Sequence, residues 1–368
     1  MGAAWIDGNP VALEVAAGAA ARLLGASRLP VIAGLGTDIA GARAAIALAR
    51  RLGGVIDHMH ADALLRDLDI MRAAGMMVTT PTEARVRGDV LLLVGEGLSS
   101  TWPQLAERLL TAPVAFAGES KRRIWWICPK RGEAKRVDDA EIQTIGRDPP
   151  DLPMLLAALR ARIAERPFNA SAVPARTLDR LAADLRTARF GVAVWSAAHL
   201  DRLTIEMLCG LVEDLNAGTR FTGLPLVPAD NAVGVMTACG WTTGYPMRIG
   251  FGRGHAEHDP WRLDAARLVE SGEADCALWI SAYRDAVPAW SRAVPTIALA
   301  GAAARMSRKA RIHIAVGRPG IDHDAVEHLA ATGTLASTAA ATPSNALSVA
   351  QAIARIEAAL ANGGARPC

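Results

Sequence analysis

Seven short segments of the chain are nearly continuous in hydrophobic residues, instead of alternating between apolar and polar positions. Such runs are typical of strands in a parallel sheet that is covered on both faces. The segments are 29–34, 90–95, 124–128, 191–195, 276–282, 294–300 and 310–316. We therefore predict a buried strand at each of these positions.

Amphipathic patterns with helical spacing lie between the apolar segments. In residues 152–165, for example, Leu155, Leu159 and Ile163 share one face, and Arg160 points away from it. The alternation of strands and helices predicts an α/β protein with doubly wound, mostly parallel sheets. The predicted helices are 40–52, 152–165, 175–188, 203–217 and 344–361, and glycine and proline predict long irregular loops at 129–151 and 221–260.

Composition limits the class of protein. The length of 368 residues favours two domains, and a hydrophobic fraction of 51% with 21% charged residues indicates a globular chain. A formal net charge of +3 gives no reason to expect nucleic acid or an anionic membrane as a partner. Charged and polar residues interrupt the apolar stretches 11–25 and 335–361, so we expect neither a signal peptide nor a membrane span. These features predict a cytoplasmic protein.

The five cysteines are scattered along the chain, and none forms a CxxC pair. This spacing excludes a zinc ribbon and the cysteine runs that hold iron–sulfur clusters. Their apolar neighbours favour buried, reduced thiols. The positions are Cys128, Cys209, Cys239, Cys276 and Cys368.

A glycine-rich turn at residues 34–41 follows one predicted strand and opens a helix, which is the context of a phosphate-binding loop. A second strand, 54–57, ends in Asp57, about where an acid that binds a ribose would lie. The glycine spacing differs from GxGxxG, and no Walker lysine follows. A nucleotide site is therefore one hypothesis, and an ordinary βα turn explains the same residues.

Asp57, His58, His60 and Asp62 form a second candidate site. Two histidines at alternate positions of a strand end can hold a metal ion, and the carboxylates could complete or orient the set. A metal-dependent hydrolase that uses these four residues is therefore an alternative function. A solvated or core-lining role for these histidines is favoured over metal binding.

Two smaller clusters are further candidates. His255, His258 and Asp259 lie in the glycine-rich region, where a solvated role is favoured over metal binding. Residues 318–324 follow a strand and could meet a ligand, but an aspartate-capped turn accounts for them too.

Longer stretches resemble a known family. Residues 53–98 resemble the metal-pocket region of molybdopterin and tungstopterin oxidoreductases, in particular the B component of formylmethanofuran dehydrogenase. The matching parts are Val55-Ile56-Asp57, the loop 58–64 and residues 89–95. The resemblance covers most of residues 1–316, with further matches at 212–217, 224–228, Asn231, 239–246, 273–280 and 294–298.

The chain departs from that family at the metal site. The resemblance places the metal-liganding cysteine at Ala63 and the histidine after it at Leu64. An alanine cannot ligate a metal ion, and no cysteine is near in sequence. The family's N-terminal domain with its cluster cysteines is also absent. The resemblance thus implies that this chain has no catalytic residue, no metal ligand and no bound cofactor.

This pattern is similar to the B component of the bacterial formyltransferase/hydrolase complex of methylotrophs. The resemblance implies a role in one-carbon metabolism and formaldehyde oxidation. In that complex a formyl group passes from tetrahydromethanopterin to a methanofuran-like carrier and is hydrolysed to formate. The chain would be a non-catalytic structural subunit that assembles with a β-barrel/β-helix-type subunit, an amidohydrolase subunit and a formyltransferase subunit.

The resemblance also implies a domain organisation. The fold would be like that of formate dehydrogenase and DMSO reductase, without their iron–sulfur and β-barrel domains. One discontinuous α/β domain would combine residues 1–60 with 250–368, and residues 61–249 would form the other. A separate subunit would cover the face from which the β-barrel is missing.

Overall fold

The computed structural model describes residues 3–115, 121–134, 140–146, 152–168, 173–302 and 310–362. In chain order the strands are β1 (Ala4–Ile6), β2 (Asn9–Val11), β3 (Pro30–Gly36), β4 (Val55–Ile56), β5 (Val90–Val94), β6 (Arg123–Ile127), β7 (Ile142–Ile145), β8 (Gly191–Trp195), β9 (Phe221–Pro225), β10 (Ile249–Gly250), β11 (Glu257–His258), β12 (Cys276–Ser281), β13 (Thr296–Ala300), β14 (Ile312–Ala315), β15 (Ala325–Leu329) and β16 (Thr334–Thr338).

The helices, in the same order, are α1 (Leu13–Ala26), α2 (Ile39–Leu52), α3 (Ala61–Ala74), α4 (Pro81–Arg87), α5 (Leu98–Thr101), α6 (Leu152–Ile163), α7 (Ala175–Arg186), α8 (Arg202–Leu215), α9 (Ala232–Thr243), α10 (Ala265–Glu270) and α11 (Val349–Asn362). A π-helical turn, Ala106–Leu110, and a 3₁₀ turn, Ala289–Arg292, complete the set in the described ranges. None of the helices described here is long and apolar enough to cross a bilayer.

The chain divides into two compact units. The first contains the residues up to Ala61, Ala229–His328 and the residues from Leu335 onward, and the second contains Asp62–Pro228 with Leu329–Thr334. Residues 229–249 thus group with the first unit, whereas the resemblance places them in the second domain. The division into domains at the predicted boundaries stays a prediction.

The first unit is built on a nine-stranded sheet in the order β11-β10-β4-β3-β12-β13-β14-β1-β2. The central strands, from β4 to β14, run parallel to one another, and antiparallel strands flank them on both sides. The direction of strand progression reverses between β3 and β12. The carboxyl ends of these two strands therefore form a topological switch point, where ligands bind in many open α/β sheets.

The second unit has a five-stranded sheet in the order β7-β6-β5-β8-β9, and every pairing in it is parallel. Its central strands are buried on both faces, which explains their continuous apolar sequences. Trp126 packs on one side of the sheet with Leu91 and Leu93, and Trp195 packs on the other with Leu92.

All seven predicted strands are present, as β3, β5, β6, β8, β12, β13 and β14. The five predicted helices are α2, α6, α7, α8 and α11. The prediction of an α/β protein with parallel sheets is therefore confirmed.

Two predicted loops were wrong in part. Residues 129–151 contain β7, an edge strand whose side chains are half exposed and give no clear pattern. Residues 221–260 contain β9 and α9, and α9 has no charged residue to mark a solvent face. Its glycines, Gly234 and Gly240, are typical of loops, but packing of Val235, Ala238 and Cys239 into the core holds the segment in a helix.

One glycine inside β3 allows this strand to lie close to its neighbour β12. Gly34 has φ +82°, and a Cβ there would lie 2.6 Å from the carbonyl oxygen of Ile280 in the neighbouring strand. Asp38 then caps α2 by accepting a hydrogen bond from the Gly41 amide at 2.9 Å. Strand β3 can therefore pair closely with β12 before the chain turns into the helix.

Asp275 joins the start of β3 to the start of β12. Its carboxylate accepts hydrogen bonds from the Arg28 amide at 3.0 Å and the Leu29 amide at 3.3 Å, and from the Ser27 hydroxyl. Partial burial raises the pKa of Asp275, but these hydrogen bonds outweigh it and lower the pKa to about 2.

We expect Asp275→Asn to lower the free energy of unfolding by about 1–3 kcal/mol at pH 7, because an amide cannot accept all these bonds. The folded-state pKa lies below the unfolded value, so the carboxylate stabilises the fold above about pH 4, and this contribution disappears as the pH falls through 2. Urea unfolding of both proteins between pH 7 and 2.5 checks this. A stability difference that does not shrink at low pH would contradict it.

Candidate functional site

A buried carboxylate lies at the switch point of the first unit. The side chain of Asp230 is only 2% exposed. It accepts a hydrogen bond from Nε2 of His60 at 2.8 Å and another from Nε of Arg284 at 2.8 Å. Asp230 and Asn231 both have left-handed backbone conformations, with φ +59° and +56°, and this tight turn points the carboxylate back toward β12.

The charges around Asp230 decide its protonation. Burial raises the pKa of Asp230, but the hydrogen bond from His60 and the positive charge of Arg284 outweigh it and hold the pKa below its usual value. Asp230 is therefore an anion that is already neutralised by groups of the same chain.

The hydrogen bonds of His58 fix its tautomer. Nδ1 accepts from the backbone amide of His60 at 3.0 Å, so the proton is on Nε2, which donates to the carbonyl oxygen of Asp230 at 3.2 Å. Burial and the neighbouring His60 lower the pKa of His58 to about 3. His58 is thus a neutral structural group near pH 7.

Asn231 ties the same turn to two other segments. Its side-chain amide donates to the carbonyl oxygen of Thr37 at 2.8 Å, and its side-chain oxygen accepts from the backbone amide of His328 at 2.9 Å. Nearby, the Tyr283 hydroxyl donates to Glu327, and burial and this bond raise the pKa of Tyr283. The polar groups at the carboxyl ends of β3 and β12 are thus hydrogen-bonded to one another.

Asp57 belongs to a separate set of contacts. Its carboxylate accepts from the amide of Ala265, the first residue of α10, at 3.0 Å, and Nε of Arg248 lies 3.4 Å away. Arg248 also pairs with Asp264. Burial raises the pKa of Asp57 to about 7, although Arg248 and the Ala265 amide oppose this change.

Asp57 and the two histidines of the predicted metal-hydrolase site therefore belong to separate sets of contacts. Asp57 faces Arg248 and Ala265, whereas His58 and His60 hydrogen-bond to Asp230. Within the described residues, no three His, Cys, Asp or Glu side chains lie together as ligands of one ion. The geometry does not favour the hydrolase alternative.

The turn at residues 34–41 is filled by its own side chains. Asp38 is buried and its carboxylate occupies the amino terminus of α2, where a phosphate would bind. Thr37 is buried beside Gly41 and leaves no space for a ligand atom. The turn is an ordinary capped βα connection, so the nucleotide hypothesis loses its phosphate site.

The residues that the resemblance assigns to the metal position of the dehydrogenase family do not fit a metal ion. Ala63 and Leu64 lie in the first turn of α3, and both side chains are buried. A methyl group and an isobutyl group have no lone pair to offer tungsten or molybdenum. The side chains at this position therefore supply no donor atom for a metal ion.

The other clusters have structural roles. The His258 imidazole donates from Nδ1 to the carbonyl oxygen of Met247 at 2.6 Å, and Asp259 accepts from the Arg262 amide at 2.8 Å. In residues 318–324, Asp322 accepts from the Arg318 amide at 2.7 Å, which is the capped turn that the sequence allowed.

The described cysteines are inert. Cys128, Cys209, Cys239 and Cys276 are free and buried, and Cys368 lies outside the described residues. Burial raises the pKa of Cys209 to about 11 and of the other three to about 12. Thiols with such pKa values are poor nucleophiles and poor metal ligands near neutrality.

Sequence reasoning missed Arg284 and Arg248 as partners of the two buried carboxylates. Both arginines lie in segments far from these carboxylates in sequence, and arginine is common throughout the chain. One available signal was the Asp230-Asn231 pair shortly after Pro228, because Asp and Asn are the residues that most readily adopt left-handed turns.

We expect His58→Gln to reduce the pH dependence of stability. Unfolded histidine binds a proton below about pH 6.5 and buried His58 does not, so wild-type stability falls as the pH drops from 6.5 toward 3. Glutamine carries both an acceptor oxygen and an N–H donor, and it does not titrate. As the pH falls from 7.5 to 5, the free energy of unfolding of the variant should rise by about 2 kcal/mol relative to that of wild type. Chemical unfolding measures this difference. If the stability of the two proteins changes with pH in the same way, the assignment of His58 as a neutral buried group is wrong.

Comparison with known proteins gives the family. Over 324 residues the chain is 36% identical to the B component of the formyltransferase/hydrolase complex Fhc of Methylorubrum extorquens, and the match covers 86% of each protein. It is 26% identical over 287 residues to the B component of tungsten-containing formylmethanofuran dehydrogenase 2 of Methanococcus maripaludis, covering 73% of this chain and 64% of that one. The corresponding protein of Methanocaldococcus jannaschii is 27% identical over 290 residues, which cover 75% of this chain and 65% of that one. No protein-family model matches the chain.

A solved structure agrees with the sequence comparison. It is the crystal structure of the formyltransferase/hydrolase complex (FhcABCD) from Methylorubrum extorquens in complex with methylofuran. A chain of that complex superposes with a TM-score of 0.88 at 32% sequence identity, over 99% of this chain and 100% of the other. The protein therefore belongs to the family of the B component of the formyltransferase/hydrolase complex.

Proposed function

We propose that this chain is a structural, non-catalytic subunit of a formyltransferase/hydrolase complex in one-carbon metabolism. The observation that carries the proposal is the likeness to the B component of that complex along 86% of both chains. The complex would transfer a formyl group from tetrahydromethanopterin to a methanofuran-like carrier and hydrolyse it to formate. The reacting groups would come from the other subunits.

The chemistry of the described residues supports a structural role. The buried carboxylate of Asp230 is paired with His60 and Arg284, and the resemblance assigns the family's metal-ligand position to Ala63, which is buried. A catalytic acid, base or nucleophile needs a pKa close to the working pH and access to substrate. Asp57 meets the first condition, but it is buried beneath Arg248 and the first turn of α10.

The finer fold assignment also belongs to this proposal. We infer two doubly wound domains like those of formate dehydrogenase and DMSO reductase, without the iron–sulfur and β-barrel domains, in a cytoplasmic protein. The likeness to the B component of tungsten-containing formylmethanofuran dehydrogenase supports this descent. A framework that once enclosed a metal would then persist because partner subunits bind to it.

We expect metal analysis of the purified complex to find tungsten and molybdenum far below one atom per copy of this chain, because Ala63 and Leu64 cannot ligate them. The cells should be grown with added tungstate and molybdate, so that a low value reflects the site and not the supply. Inductively coupled plasma mass spectrometry of the co-purified subunits makes the measurement. One tungsten or molybdenum atom per copy would refute the proposal.

The isolated chain offers a second check. We expect it to have no formyl-hydrolase activity, and we expect the double variant His58→Gln, His60→Gln to leave the activity of the whole complex within about twofold of wild type. Loss of activity in a complex that still assembles fully would instead favour the metal-hydrolase alternative.

A further inference from the structure

Helix α9 carries no charged side chain along its 12 residues. A helix of this kind is normally covered on all sides. One side of α9 does pack into the core, through Ala232, Val235, Ala238 and Cys239, and contacts α2. The remaining side is half-buried near the start of the helix and exposed near its end.

This second side carries no charged residue, and together with Tyr245 just beyond the helix we call it the α9 face. Its members recur at the spacing of three and four residues that places side chains on one side of a helix. It consists of Val233, Met236, Thr237, Gly240, Trp241 and Tyr245. Trp241 is 70% exposed, whereas most large hydrophobic side chains of this chain are buried.

A helix cap, a hydrogen bond and a ring contact position the carboxyl-terminal end of the α9 face. Gly244, with φ +81°, ends the helix in a left-handed cap, and the Tyr245 amide then donates to the Thr243 hydroxyl at 3.2 Å. The ring of Tyr245 stacks on His258 with centroids 5.7 Å apart. Gly240 has no heavy atom within 4 Å of where a Cβ would stand, so the helix backbone is open to close approach beside Trp241.

A positive charge lies at one end of the face. Arg50 donates from Nη2 to the carbonyl oxygen of Thr242 at 3.3 Å and remains exposed. A partner with a carboxylate at that edge would be attracted to this charge.

Resting on the proposed function, we propose that the α9 face docks another subunit of the formyltransferase/hydrolase complex. The similar solved structure is an assembly of different subunits, FhcABCD, which favours a different chain over a second copy. Exposed tryptophan and tyrosine in an uncharged patch have the composition of an interface core, where such residues contribute most of the binding energy. The partner surface accepts the indole of Trp241 in an apolar pocket and presents an acidic group to Arg50.

The test is assembly of the whole complex from co-expressed subunits, with an affinity tag on a different subunit. We expect Trp241→Glu to weaken retention of this chain by about 30-fold or more, because a carboxylate replaces the central aromatic group. Trp241→Ala should weaken it less. The matched control is Leu203→Glu, since Leu203 is also an exposed apolar residue near a helix end, 52% exposed, and it lies in the second unit.

Every outcome of this experiment supports or overturns the inference about the α9 face. Circular dichroism and thermal unfolding of the isolated variants should match wild type, because Trp241 is mostly exposed. Normal retention of Trp241→Glu, or equal losses for Trp241→Glu and Leu203→Glu, would overturn the inference. The inference would also be overturned if the wild-type chain self-associates, the Trp241→Glu variant is monomeric, and the complex still assembles with that variant. If the other subunits do not retain even the wild-type chain, the proposed function itself is wrong, and not only the inference about the α9 face.

Discussion

The parallel pairing of β3 with β12 is the constraint on which the first unit depends. The two strands come from distant parts of the sequence, yet each is buried on both faces and occupies the middle of the nine-stranded sheet. Gly34 permits the close approach of the two backbones, and Asp275 holds their starting ends together. Since parallel pairing leaves carboxyl ends side by side, it also brings together the polar groups around Asp230.

These polar groups have an arrangement that differs from that of a ligand site. At many switch points of α/β sheets, backbone amides and side chains remain available to a bound molecule. Here Asp38 occupies a helix terminus, Asn231 bridges Thr37 and His328, and His60 and Arg284 pair with Asp230. The groups satisfy one another, which avoids the cost of burying unpaired charges. A chain that has lost its ligand by evolution would gain stability from such internal pairing.

How far the sequence predicts the structure depends on what each pattern can report. The sequence predicts the buried strands β5, β8 and β12 clearly. Both faces of these strands are buried, so their residues form continuous apolar runs. The sequence predicts a loop where α9 lies, because a helix without charged residues has no visible polar face. The likeness to the B component of the formyltransferase/hydrolase complex confirmed the family, whereas the assignment of the dehydrogenase family's metal position to Ala63 stays a prediction. The contacts of Asp230 with His60 and Arg284 could not be predicted, since residues so far apart in sequence leave no local signal.

The first unit's division into separate stretches of chain has a consequence for synthesis on the ribosome. When β3 and β4 emerge, the long middle stretch that forms the second unit must still be translated before β12 exists. The second unit is nearly contiguous in sequence and can fold as it is made. During that time the apolar faces and edges of β3 and β4 remain uncovered. Newly made chains of this protein are therefore most exposed to aggregation, and most in need of chaperones, during the interval between the second unit and β12.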